Sequence, residues 1–461
     1  MITELRILPP LVIARLGSSP HPLENYNLNP PEDLLGFRKL DPTETLAVDE
    51  QSGEISRAYT PSKIVFRDGD HIRPVAPFLE VFARTDSGQL EPLTSNLLKD
   101  NGLSPADVKW TVKVGNLKVF RRTGDVGDQV FAEQSFCDHK PHSLEGKCEH
   151  FFPDRVLPLG SVRYIKPNEA FPEIRIRFTP AEGKVYGCGL RRKTVDLSGN
   201  IVEQDDPVIT PDRAIYDAAK GKWRDYADPG LPTDTNPSQI YAGFVNTTDP
   251  NSPQQSWGYL DDECDGVVSV ELKVGHKTLS AFARVGAGPP TFAPDGLPIR
   301  TVADELEQAL LGPVVDPSDA TLENVEEILR RGLETVRLMN TAVMNGNTVN
   351  GRVAVASMMP SQDSNDTSRL FAPIMAPTLV DNLALVALHQ GIFAALRSGT
   401  RPWFLDVLRL PEEIGDLSDK ARRKMPAMMR GADGRYLTLT RRQIDMIRKV
   451  AEKGPFGERK P

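Results

Sequence analysis

Cysteine is scarce in this sequence. Four residues in 461, Cys137, Cys148, Cys188 and Cys264, are too few for a disulfide scaffold. No run of about 18 apolar residues occurs, so no membrane span is expected. The first residues, MITELRILPPLVIARLG, lack a basic leader and are broken by Pro9-Pro10, so no secretory signal is read there. Cytoplasmic residence follows as the default. Positive charge is not in excess: 55 Lys and Arg stand against 63 Asp and Glu, a net −8, which argues against a nucleic-acid partner. The motifs G-x-S-x-G, Walker A, G-x-G-x-x-G and H-E-x-x-H are missing, and no repeat of fixed period is visible.

What is present is ordinary globular material, 39% apolar and 26% charged, with length enough for a large core. Its 39 prolines lie mostly in the first two-thirds, where they imply turns and short strands. The pattern predicts an α+β fold: a β-rich N-terminal region (1–300) packed against a mostly helical C-terminal region (301–461). The stretch from Trp257 to Asp304 spans the change. Its runs Val267–Val274 and Thr278–Val285 read as a strand pair around a Gly275-His276-Lys277 turn. Thr301 and Asp304 then form the capping box of a helix.

Earlier, Ile64-Val65-Phe66, Phe78 to Phe82 and Trp110 to Val114 are strand candidates, the last alternating cleanly. Residues 18–45 and 191–256 are turn-rich and predict surface loops. Helical spacing predicts a helix over 322–338, and 378–397, apolar nearly all round, predicts a buried one. A last helix over 441–453 takes Thr440 and Gln443 as its capping box.

Two clusters could carry chemistry. Residues 137–150, CDHKPHSLEGKCEH, hold Cys137, His139, His142, Cys148 and His150, five of the chain's eleven Cys and His. Zinc takes four N or S ligands in a tetrahedron, and a loop folded back at Pro141 and Gly146 would supply them for a structural site. The same loop also reads as a plain polar loop with two thiols, or as a Cys137–Cys148 disulfide. The second cluster, Asp261, Asp262 and Asp265, reads as a turn that binds a cation or substrate amine, or as one whose carboxylates cap backbone N–H groups. His389 reads as a satisfied core histidine, and Trp257 with Cys264 as a buried ring beside an inert thiol.

Several stretches resemble one family. They are W-x-x-x-D-D-x-x-D-G-x-V from Trp257, GPPTFAPD at 288–295, PLVIARLGSSP at 10–20, the Trp-Thr-Val strand at 110–116, and EIRIRFTPAEGKVYG at 173–187. LRLPEE at 408–413 and the Met-Pro turn with its Leu-Thr-Leu-Thr-x-x-Gln helix at 425–451 complete the set. Together, in this order, they resemble the cysteine tryptophylquinone-dependent amino-acid oxidases, the lysine ε-oxidase and glycine oxidase (LodA-like) family. The resemblance implies an oxidoreductase scaffold. In that family the quinone forms from a cysteine and a tryptophan beyond the last of these helices. Here no cysteine follows Cys264 and the last tryptophan is Trp403, so no tryptophylquinone is expected and the chain reads as truncated before that segment. The reading is therefore a relative that is a catalytically silent partner, or one with different chemistry in the inherited pocket. The alternatives are an amine oxidase whose quinone segment another chain supplies, and a metal-stabilised binding module. A homo-oligomer or partner protein and a small-molecule or peptide substrate fit these readings; nucleic acid and membrane do not.

Overall fold

The computed structural model describes residues 1–30, 38–188, 255–258, 260–290, 296–337, 390–398, 408–413 and 438–453, with shorter pieces between 191 and 244 and at 405, 406 and 424. The fold is α+β. Two compact units form: residues 1–27 with 41–292, and residues 28–40 with 293–461.

The first unit is built on two sheets. In chain order its main strands are β1 (Ile2–Leu8), β2 (Leu11–Arg15), β3 (Phe78–Thr85), β4 (Leu90–Pro92), β5 (Val108–Asn116) and β6 (Val130–Phe136). There follow β7 (Pro141–Gly146), β8 (Leu157–Tyr164), β9 (Arg175–Thr179), β10 (Val185–Tyr186), β11 (Leu260–Asp261), β12 (Cys264–Val274) and β13 (Lys277–Gly288). Two short helices, α1 (Ser95–Asp100) and α2 (Lys118–Thr123), interrupt the series. One sheet runs β1-β3-β9-β8-β7, with β4 also on β3; the other runs β6-β5-β12-β13-β2. Only the β2–β13 pair of this second sheet is parallel.

Period-two alternation decides which face is buried. On β5, Val108, Trp110, Val112 and Val114 are buried while Lys109 and Lys113 are exposed. On β12, Val268, Val270 and Leu272 join the same core, which also takes Leu79, Val81, Leu159, Ile176 and Phe178 from the other sheet. Each such aliphatic side chain contributes about 1.5–3 kcal/mol on burial. On the outer face the register sets Lys109 opposite Glu271 and Lys113 opposite Glu133, pairs worth at most about 1 kcal/mol in water. The β12–β13 hairpin turns on Gly275 and His276, with Gly275 at φ 60°, a left-handed conformation that glycine adopts without strain.

Two expectations change here. Residues 18–45 and 191–256 carry short paired strands, among them Tyr26–Asn29 with Lys39–Pro42 and Arg191–Val195 with Ile201–Pro207. Turn residues marked the bends but hid the strands between them. Ile64-Val65-Phe66 forms no strand; pairing begins at Arg67 with Ile72.

From residue 296 onward the described parts of the second unit are mostly helical. Its helices are α3 (Val302–Leu311), α4 (Leu322–Arg337) and α5 (Arg441–Lys453), with a further helix over 390–397. Thr301 and Asp304 cap α3 reciprocally, and Thr440 and Gln443 cap α5. Val325 and Ile328 of α4 meet Ile444, Ile447, Val450 and Ala451 of α5 and Leu396 in one core. The 390–397 helix is one-sided, with Phe393 and Leu396 buried but Gln390, Ala394 and Arg397 exposed. The rest of the predicted 378–397 helix, with His389, lies outside the described residues, as does the 425–437 stretch. Among the described residues no helix is long and apolar enough to cross a membrane.

Candidate functional site

The polar chemistry of the first unit gathers at the two ends of α2. At its start, β5 ends in Asn116, which is buried. The Asn116 amide donates to the carbonyls of Asp261 and Glu263, both at 2.9 Å, and its Oδ1 accepts the Lys118 N–H at 3.0 Å. Lys118 Nζ then ion-pairs with Asp261 and, at 2.6 Å, with Glu263. Burial opposes the Lys118 charge, but the two carboxylates outweigh it and hold the ammonium above its ordinary range. One lysine cannot satisfy three acids. Burial, and then the charge of Asp261, push the Glu263 carboxyl up.

Asp262 is the most confined of the three, 1% exposed. Its Oδ2 accepts the backbone N–H of Gly183 and of Lys184, each at 3.0 Å. Its Oδ1 has no hydrogen-bond partner among the described residues. Burial pushes this carboxyl up to about 7, against the two N–H groups that favour the charge. Asp265 stands on the exposed face of β12, outside the cluster. Of the predicted acidic site, then, Asp261 and Asp262 come together and Asp265 does not. The cation at this turn is an internal one, Lys118, and both aspartates cap backbone N–H groups, Asp262 those of Gly183 and Lys184 and Asp261 that of Glu263 at 3.2 Å.

At its other end α2 finishes in Thr123, whose hydroxyl donates to Asp128 Oδ2. Asp128 is completely buried. Its Oδ1 accepts from Tyr216 Oη at 2.5 Å and is bonded to His150 Nδ1 at 2.7 Å. Asp125, three residues earlier, accepts the Gly127 N–H at 3.1 Å. Asp125, Asp128 and His150 each place one ligand-type atom within 4.8 Å of the others, the one such group of three or more Asp, Glu, His or Cys among the described residues. A carboxylate holding imidazole Nδ1 leaves Nε2 to act as a base or a ligand.

The five-residue Cys/His set is dispersed. The segment expected to fold back is strand β7, which is laddered to β8 in the other sheet and runs back along β6 as an open hairpin joined by one bridge, Phe131 with Lys147, and by Gln134 donating to the Ser143 carbonyl at 3.1 Å. Cys137 lies at the hairpin tip and Cys148 at its base. Six strand residues at about 3.3 Å each separate them by about 20 Å. Each histidine has its own surroundings: His139 bonds the Tyr164 carbonyl at 3.2 Å, His142 bonds Asp138 at 2.9 Å and stacks on Phe136, and His150 holds Asp128. All four cysteines are free thiols. Burial pushes Cys148 up to about 11 and Cys264 up to about 12, so both stay protonated. Cys264 Sγ contacts the Leu159 carbonyl inside the core at 3.6 Å.

Sequence reasoning missed Lys118, Thr123, Asp125, Asp128 and Tyr216. The only local signal was the turn-like Thr123-Gly124-Asp125-Val126-Gly127-Asp128 run. Nothing in spacing links it to His150, 22 residues on, or to Tyr216. No protein-family model matches this chain, and neither does any curated protein.

Proposed function

We propose that this chain is a scaffold of the cysteine tryptophylquinone-dependent amino-acid oxidase type that carries no tryptophylquinone and serves as a catalytically silent binding partner. One observation carries the reading: four stretches that resemble the family meet at one buried node. PLVIARLGSSP supplies Leu16 and Gly17, whose N–H groups bond Gly288 and Ala181 carbonyls at 3.0 and 3.3 Å. WTVKVGN supplies Asn116, EIRIRFTPAEGKVYG supplies Gly183 and Lys184, and the acidic turn supplies Asp261 and Asp262. A node whose carboxylates are engaged by an internal lysine and by backbone N–H groups supports a structural role for these motifs over substrate-amine binding.

The test is optical and by mass. Purified protein should show no quinone band, should have the intact mass of the unmodified sequence, and should release no hydrogen peroxide with lysine or glycine. A mass matching a Cys–Trp crosslink with inserted oxygen, or peroxide release, would overturn the proposal.

A further inference from the structure

We propose that the outer side of α3 is a docking surface for a basic amphipathic helix of another protein. The proposal does not rest on the oxidase-type reading. It stands on burial and charge within the second unit, and its test involves no quinone, so either can fail alone.

α3 is mounted with its sides reversed. A helix of a folded unit ordinarily turns its apolar stripe inward and its polar side to water. Here Asp304, Glu307 and Gln308, spaced i, i+3 and i+4, face the unit. Asp304 accepts from both terminal nitrogens of Arg331 on α4, at 2.9 and 3.1 Å. Glu307 accepts from the Arg442 guanidinium of α5 at 2.8 Å, and the Gln308 side chain accepts the Arg442 backbone N–H at 3.1 Å. Both arginines are buried, whereas no residue of α3 is. Val302, Leu306 and Leu310 recur every four positions on the opposite side, 43%, 51% and 81% exposed, with Ala309 exposed beside them. Val314, just past Gly312, is 68% exposed. Single exposed apolar residues are ordinary, but a contiguous stripe of them marks an interaction site. Anchors at i, i+4 and i+8 are what a second helix packs along.

Charge chooses the occupant. From Thr301 to Leu329 the chain holds eight acidic residues and no Lys or Arg, so the stripe lies in a negative stretch. Arg300, Arg331 and Arg442 come in from outside it and answer Glu305, Asp304 and Glu307. Asp316, Asp319 and Glu323, which follow Val314, are exposed. The C-terminal end of the α3 dipole adds to their sign. A second copy of this chain would bring the same acidic stretch to the contact, so net charge opposes self-pairing. A helix with Leu-type anchors and Lys or Arg on its flanks meets both features, covering the stripe and answering the acids.

The probes are two synthetic fluorescent helical peptides with the same leucine stripe, one flanked by lysines and the other by glutamates. Titrated with the full chain, the lysine peptide should bind saturably, and the glutamate peptide should bind about tenfold more weakly or not at all. Leu306→Gln and Leu310→Gln change exposed side chains that hold no core together. Each should weaken the lysine peptide about tenfold, the size of a lost anchor. Asp319→Asn should weaken it a few-fold at low salt and less at high salt. Phe282→Ser, at an exposed apolar residue of the first unit, should leave it unchanged. No saturable binding of the lysine peptide, equal affinity for the two peptides, or binding indifferent to both leucine changes would overturn the proposal. So would a dimer of the native chain that Leu310→Gln dissociates, which would make the stripe a contact between copies of this chain.

Discussion

Asp262 shows how much one buried carboxylate can govern. Its folded-state value of about 7 lies above the ordinary 3.8. The folded chain therefore binds this proton more tightly than the unfolded chain does, and the stability it contributes is fully present below about pH 4. That contribution is lost as pH rises through about 7. Asp262→Asn should remove this dependence, because the amide still accepts from Gly183 and Lys184 and carries no charge. The wild-type minus variant difference in unfolding free energy should fall by a few kcal/mol between pH 4 and 8, at about 1.4 kcal/mol per pKa unit. Parallel pH–stability curves for the two proteins would show that Asp262 ionises normally. The run Asp261-Asp262-Glu263 was legible as a polar turn. Which acid is buried and which faces Lys118 was not, because Gly183 and Lys118 come from distant stretches.

At the scale of elements, the β6–β7 hairpin decides the fate of the Cys/His cluster. A strand extends by about 3.3 Å per residue, so six residues set the two thiols far beyond the 4.4–6.8 Å Cα separation of a disulfide. Mild oxidation should therefore yield no Cys137–Cys148 bridge. In the native protein a thiol reagent should modify the exposed Cys137 promptly and Cys264 only on unfolding. A fast-reacting Cys264, or a 137–148 crosslink in a non-reducing peptide map, would contradict the hairpin. The composition of this segment suggested ligands, but its β7 residues Pro141–Gly146 carry an alternation that buries Leu144 and Gly146 and exposes the residues between. Secondary structure decided the spacing that composition left open.

At the scale of the molecule, the second unit depends on a segment from early in the chain. Residues 28–40 belong to it. Arg38, with a side chain 2% exposed, donates to Glu327 of α4 at 2.7 Å across 289 positions of sequence. Removing the charge of Glu327 leaves a buried guanidinium with a weaker partner. Glu327→Gln should then destabilise the second unit by about 1–3 kcal/mol, less than a fully buried pair because Glu327 is partly exposed. Amide exchange should quicken at 38–42 as well as in α4. Faster exchange confined to α4 would show that the pair does not hold the early segment.

Features that depend on neighbours in the chain were readable from the residues alone. The alternation of Val108, Trp110, Val112 and Val114, the Gly275 hairpin, and the capping boxes at Thr301 and Thr440 all act within a few residues, so local pattern suffices to read them. The tertiary structure alone decided what depends on contacts between distant residues. It made Lys118 the partner of Asp261, brought Thr123, Tyr216 and His150 onto Asp128, and gave residues 28–40 to the helical unit. Burial turns such encounters into strong interactions, because a polar group taken out of water must find its partner wherever the fold supplies one. No local pattern encodes which distant residue that will be.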